Sequence, residues 1–254
     1  MSANLYELVA HCDELLQVSS FKDYCPNGLQ IEGRSELKRI VTGVTASQAL
    51  IDAAIDQKAD AILVHHGYFW RGEDPVLTKI KGRRIKSLMQ HDISLIAYHL
   101  PLDAHPQLGN NAQLAKLLNF SVDKGLDDSP NPIGFVGRWR AEGARHLDAL
   151  SEHIAKQLSR QPLVIGNAQQ EIESVAWCTG AAQSMIESAS LQGVDCFISG
   201  EISEQTVHLA NELGIAYISA GHHATERYGA KALGEYLRQN FAVDVEFIDI
   251  ANPV

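Results

Sequence analysis

Two pairs of adjacent histidines carry the chemistry this chain can offer: His65-His66, at the end of "DAILVHH", and His222-His223, in "AGHHATERYG". Neutral imidazole and carboxylate together suit zinc, manganese, iron, cobalt or nickel. A carboxylate stands close to the second doublet, and two others end neighbouring apolar runs. Glu226 follows His222 by four residues, so on a helix the two share a face and can reach one ion; His223 and Glu226, three apart, can share one as well. Asp103 ends "LIAYHLPLD", and Glu201 ends "DCFISGE". Two doublets with Asp and Glu exceed what one tetrahedral ion needs. A pair of divalent transition-metal ions per chain, ~3.5–4 Å apart and bridged by a carboxylate, accounts for the surplus. His99, four residues before Asp103, falls on the same face of an extended strand. It is a candidate ligand, a candidate acid/base, or a support for another ligand. His105 reads as solvent-facing, and His11, His91, His146, His153 and His208 as ordinary residues of helices.

The elements that must position these groups alternate. "RIVTGVTA" reads as a strand, "SQALIDAAIDQKA" as a helix capped by Ser47, and "DAILVHH" as the next strand. "LTKIKGRRIKSLMQHD" reads as a helix with its basic side in solvent, "ISLIAYHLPLD" as a strand ended by Pro101, and "NNAQLAKLLNF" as a short helix. Residues 121–170 are less regular, with "DDSPNPIG" as a breaker cluster and two strands around a helix at about 144–159. The alternation then resumes through "SVAWCTG", "AQSMIESASLQG", "VDCFISGE", "SEQTVHLANELG", "IAYISAGHH", "TERYGAKALGEYLRQN" and "VDVEFIDI". This is an α/β pattern.

The halves resemble one another. "ASQALIDAAIDQKADAILVHHG" lies against "AAQSMIESASLQGVDCFISGEI" without a gap, 135 residues apart, and "LIAYHLPLDA" against "GIAYISAGHH", 119 apart. On that alignment His65-His66 face Gly200-Glu201, and Asp103 faces His222. The expectation is two related α/β lobes made by an internal duplication, with a first lobe over 1–120, a connecting segment over 121–170 and a second lobe over 171–254 that completes the site. Ligands of open α/β sheets bind at the carboxyl ends of strands, where these polar residues collect.

Two other stretches adjoin this pattern. In "YCPNGLQIEG", Pro26-Asn27-Gly28 is a turn signal with Gly28 available for positive φ, and either a surface turn or a pocket-lining loop satisfies it. Tyr68, Phe69 and Trp70 follow the first doublet and either stack on a planar ligand or cover the site. The sequence contains no G-x-S-x-G, P-loop or post-strand G-x-G-x-x-G.

The chain has 254 residues, 45% hydrophobic and 20% charged, with a net charge of −10. That balance disfavours nonspecific nucleic-acid binding, although a bound metal reverses the local potential for a small anionic ligand. No apolar run reaches the ~20 residues of a membrane span, and the N-terminal segment reads as an amphipathic helix, which points to the cytoplasm. The cysteines Cys12, Cys25, Cys178 and Cys196 have no C-x-x-C spacing and read as free thiols.

"PNGLQIEG", "VTGVTAS", "ILVHHGYFW", "HLPLDAHPQLGNNAQLA", "SGEISEQTVHLA", "AGHHATERYGAKAL" and "VDVEFIDIANP" together resemble the bacterial GTP cyclohydrolase type 2 homologue family, also called Nif3-like or YbgI-like. The resemblance covers essentially the whole chain in a compact form without a large central insertion. It implies a Nif3-like fold with a dinuclear metal site between lobes. The ligands it implies are His65, His66, Asp103, His222 and Glu226, with Glu226 as the bridge. It also implies a toroidal homohexamer whose sites face an internal cavity. The function expected is metal-dependent hydrolysis of a small molecule, a nucleotide or related heterocycle such as GTP, with His99, His223 and Glu201 as candidates for proton transfer or for orienting ligands. The alternative is a noncatalytic metal-binding or regulatory assembly protein. A transcriptional-partner scaffold finds no support in any basic or repetitive segment.

Overall fold

The computed structural model describes residues 2–140 and 143–254. The chain divides into two compact units, the first formed by residues 1–102 and 229–251 and the second by residues 103–228 and 252–254.

In the first unit a short ladder, β1 (Ala3–Asn4) with β3 (Glu36–Leu37), flanks helix α1 (Leu5–Leu15), whose N-terminus is capped by Asn4. β2 is Gly28–Ile31, β4 Arg39–Thr45, α2 Gln48–Asp56, β5 Ala61–His66, α3 Lys79–Gln90 and β6 Ser94–Ala97. Ser47 caps α2, its hydroxyl accepting from Leu50 N at 3.3 Å. The sheet order is β13-β4-β5-β6-β2, with β13 formed by Asp244–Phe247. β13, β4, β5 and β6 run parallel and β2 closes one edge antiparallel. Ala61–His65 are buried without alternation, as expected of a parallel strand covered on both faces. Val41, Ile62, Val64 and Leu95 of the sheet pack with Leu50, Ile51 and Ala54 of α2 and Ile85 and Leu88 of α3.

The second unit contains α5 (Asn110–Leu117), β7 (Lys124–Gly125), β8 (Phe135–Arg138), α6 (Leu147–Leu158) and β9 (Leu163–Ile165). It continues with β10 (Ser174–Cys178), α7 (Ile186–Leu191), β11 (Cys196–Ser199), α8 (Glu204–Leu213) and β12 (Ala216–Ser219). The short helix α4 (Leu100–Ala104) leads in from the first unit, and α9 (His222–Asn240) leads back to it. The sheet order is β7-β8-β10-β11-β12-β9, with β10, β11 and β12 parallel and the outer pairings antiparallel. Residues 121–170 thus supply both flanks of this sheet and the helix α6, whose Leu147, Leu150, Ile154 and Leu158 pack against Trp177, Ile198 and Ile218.

Both sheets repeat one device. Asp60, just before β5, accepts from Lys38 N at 2.7 Å and Arg39 N at 3.0 Å, tying the start of β4. Asp195, just before β11, accepts from Glu173 N at 3.0 Å and Ser174 N at 2.8 Å, tying the start of β10.

Three sequence expectations need correction. "ISLIAYHLPLD" is not one strand: β6 stops at Ala97 and Asp103 lies in α4, so His99 and Asp103 do not share an extended face. Pro101 did not end a strand; in the first turn of a helix its missing N–H costs nothing. His222 and His223 are not the end of a strand but the first residues of α9. The second alignment is also shifted. β5 pairs Ala61 with Ser94, and β11 pairs Cys196 with Ala216, so matching β5 to β11 puts β6 and β12 122 residues apart rather than 119. Asp103 then falls opposite Thr225, and His222 opposite Leu100.

Candidate metal centre

Three histidines of the first unit come together at the carboxyl ends of its parallel strands. His65 is fully buried in β5, and His66 ends that strand half-buried. His99 follows β6, its ring centroid 5.1 Å from that of His65 and 5.8 Å from that of His66. Each of the three offers a ligand nitrogen, and these atoms all lie within 4.8 Å of one another.

Each ring is oriented by an oxygen at Nδ1. His65 Nδ1 donates to Tyr98 O at 2.9 Å. His66 Nδ1 lies 3.3 Å from Thr45 Oγ1. His99 Nδ1 lies 2.7 Å from Asp23 Oδ1. A backbone carbonyl or carboxylate accepting from Nδ1 keeps the ring proton on that nitrogen and leaves Nε2 the lone pair, as in metal-ligating histidines held by a neighbouring acceptor.

The loop before β2 builds the cradle of His99. Asn27 Oδ1 accepts from His99 N at 2.7 Å, and Asp23 Oδ2 accepts from Leu100 N at 3.0 Å and Asn27 Nδ2 at 2.8 Å. Burial would raise the Asp23 carboxyl, but the hydrogen bonds from His99 and Asn27 outweigh it and bring it down to about 2. Gly28 has φ +94°, as the turn signal predicts. Gln30 reaches back through Oε1 to Tyr68 N at 2.7 Å and through Nε2 to Pro26 O at 2.8 Å. The stretch therefore lines the site.

The aromatic triplet divides its labour. Tyr68 is buried and donates from its hydroxyl to Ala46 O at 2.7 Å, so it packs. Trp70 stands edge-on to His99, with centroids 4.9 Å apart, and walls the histidines. Phe69 is exposed and lies under Lys81 Nζ, 5.0 Å from its ring centroid.

The second unit gathers carboxylates. His222, at the start of α9, lies between Glu201 and Glu226: its Nδ1 is 2.7 Å from Glu201 Oε1 and its Nε2 3.0 Å from Glu226 Oε2. The i,i+4 pairing expected from the sequence is thus made on the helix. Burial works against a charged His222, but its hydrogen bonds to Glu226 and Glu201 prevail and lift it to about 9. Glu226 and Asp103 are 3% and 7% exposed. Asp103 Oδ1 accepts from Asn110 Nδ2 at 2.9 Å and Thr179 Oγ1 at 3.3 Å. Burial, reinforced by Asp103 and Glu226, pushes the Cys178 thiol well up, a sign of the negative potential these carboxylates create. His223 donates its backbone N–H to Val254 O at 2.9 Å.

Three features of the site were missed by sequence reasoning. Asp23 bears on His99 from 76 positions away, with no local spacing to announce it. Thr179 joins Asp103, also 76 positions away. Gly180, at φ +66°, makes room for His222 and Glu226: a Cβ there would overlap Glu226 Oε1 and sit 3.2 Å from His222 Nε2.

Imidazole nitrogens oriented at Nδ1, with buried carboxylates and a negative potential, fit a divalent transition metal. All four cysteines are free and buried, in keeping with the sequence reading. Among the described residues no helix is long and apolar enough to cross a membrane.

The family described as Duf34/NIF3 (NGG1p interacting factor 3) matches residues 3–253. A Vibrio cholerae protein named GTP cyclohydrolase 1 type 2 homolog is 56% identical over 253 residues, 99% of this chain and 100% of its own length. Among solved structures, protein ybgI superposes with a TM-score of 0.94 at 49% identity, covering 99% of this chain and 100% of that one. TTHA1606 from Thermus thermophilus does so with a TM-score of 0.87 at 31% identity, again over 99% and 100%.

Proposed function

The chain belongs to the Duf34/NIF3 family, and from that premise we propose that it holds two divalent metal ions and hydrolyses a nucleotide or related heterocycle. The observation that carries the metal reading is the common orientation of His65, His66 and His99, each with Nδ1 against an oxygen. His65, His66, Asp103, His222 and Glu226 would hold the ions, with Glu226 serving as the bridge. Bound there, the ions would supply Lewis acidity and acidify a water toward neutrality.

The chain's own groups do the rest. Glu201 orients His222 through Nδ1. Trp70 walls His99, and His99, held by Asp23, is a candidate for proton transfer or for supporting the ligand set. His223, anchored through its backbone to the C-terminal tail, is the remaining candidate for proton transfer. The name shared by the curated relatives suggests GTP as the first substrate to test. The matching Asp60 and Asp195 devices support descent of the two units from one duplicated α/β unit. Assembly into a toroidal homohexamer completes the reading, and mass measurement in solution tests it.

The functional test loads purified protein with Mn²⁺, Zn²⁺, Fe²⁺, Co²⁺ or Ni²⁺ and screens GTP, other nucleotides and small cyclic amides. Turnover should fall at least a hundredfold in His66→Ala and in Glu226→Ala with the fold retained. Absence of turnover in every loaded wild-type sample rejects the hydrolase and favours a noncatalytic metal-binding or assembly role.

A further inference from the structure

The three-histidine group of the first unit contains one more donor than the ligand set above assigns to it. We propose that His99 is itself a metal ligand through Nε2, and that Asp23 is the positioning residue that commits it to that role. This rests on the metal reading of the site and extends it.

Three observations carry the proposal. The ligand nitrogens of His65, His66 and His99 lie within 4.8 Å of one another, close enough for His99 to belong to the same donor group as the doublet. His99 is presented in the same way as the other two, with Nδ1 against an oxygen, and its contact to Asp23 is shorter than theirs. The backbone around it is held independently of the ring. Asn27 Oδ1 accepts from His99 N, and Asp23 Oδ2 accepts from Leu100 N. Fixing backbone and ring together is the arrangement a ligand needs, because an ion loses affinity when a donor swings. A histidine serving only to pack would need neither a buried carboxylate on its Nδ1 nor two further bonds to its main chain. Asp23 accepts as many hydrogen bonds as a carboxylate comfortably takes: from His99 Nδ1, Tyr24 N, Asn27 Nδ2 and Leu100 N.

Cys25 belongs to a second potential group with Asp23 and His99. Burial, with Asp23 nearby, pushes its thiol up to about 12.

The experiment uses the full chain and Co²⁺ as probe, read by visible absorption and by X-ray absorption, which counts imidazole ligands. Wild type, His99→Ala and Asp23→Asn are stripped, checked by circular dichroism and titrated with Co²⁺. His99→Ala should weaken one Co²⁺ at least tenfold, change its ligand-field bands and lower the imidazole count. Asp23→Asn, which keeps the shape and removes the charge, should weaken the same ion in the same direction by a smaller factor. Wild-type affinity, bands and imidazole count in a folded His99→Ala overturn the proposal while leaving the rest of the metal centre standing. A folded wild type that takes up no Co²⁺, Zn²⁺ or Mn²⁺ overturns the metal reading itself, and this proposal with it. If His99→Ala does not fold, unchanged Co²⁺ binding in folded Asp23→Asn is the overturning result.

Discussion

At the scale of single residues, the second unit depends on a missing side chain as much as on those present. Gly180 lies where Glu226 and His222 meet, and its positive φ is itself unfavourable for any other residue. Gly180→Ala should cost about 1 kcal/mol or more in stability from the backbone alone. The displaced Glu226 carboxylate should weaken Zn²⁺ or Mn²⁺ binding by about tenfold or more. Calorimetric titration of the folded variant measures the second effect apart from the first; unchanged affinity would mean that Glu226 is not a ligand. Much of the site was legible in the sequence because a histidine doublet after an apolar strand has few structural uses, and because His222 and Glu226 carry their helical spacing openly. Asp23 was illegible for the opposite reason. Its partners are His99 and Leu100, joined to it only by tertiary folding, and "KDYCPNG" looks like any surface turn.

At the scale of elements, the alternation of apolar strands with amphipathic helices was readable, since buried parallel strands form unbroken apolar runs. Element ends were not. Pro101 reads as a stop but sits where a helix begins, and the start of α9 carries no Ser, Thr, Asp or Asn in the usual capping place. The alignment of β6 with β12 went astray because both contain Ile-Ala-Tyr; matching those letters gives 119, while hydrogen-bond register gives 122. Asp60 shows what register rests on. Burial raises its carboxyl, but the backbone bonds from Lys38 and Arg39, helped by Arg34, hold it below the usual aspartate range. A carboxylate whose folded pKa is depressed stabilises the fold above its unfolded value of about 3.9, and that contribution is lost as pH falls through the folded value. Arg34 is half-exposed, so the main-chain bonds matter more than the ion pair. Asp60→Asn should cost about 1–3 kcal/mol at neutral pH. It should also flatten the loss of stability below about pH 4, as urea titrations at several pH values would show.

At the scale of the whole molecule, a metal that binds only the folded chain adds its binding free energy to stability. With free Zn²⁺ at a hundred times its Kd, each independent site contributes about 2.7 kcal/mol. Thermal unfolding should therefore shift upward with Zn²⁺ or Mn²⁺ and return on chelation, and the shift should vanish in Glu226→Ala. A wild-type midpoint indifferent to metal and chelator would count against the centre. The net charge of −10 also bears on this, since cations at buried carboxylates offset part of a self-repulsion the empty chain must carry.

The last strand of the first sheet, β13, is drawn from residues 244–247 and lies against β4, residues 39–45. Synthesis thus delivers residues 103–228, the bulk of the second unit, while the first still lacks its closing strand. During that interval β4 has an open edge, and an open parallel edge is a template for pairing with other chains. The first unit therefore begins before the second and receives its closing strand only after residues 103–228 have emerged. A chain stopped between residues 228 and 244 would carry His65, His66, Asp103, His222 and Glu226 and leave the β4 edge unpaired.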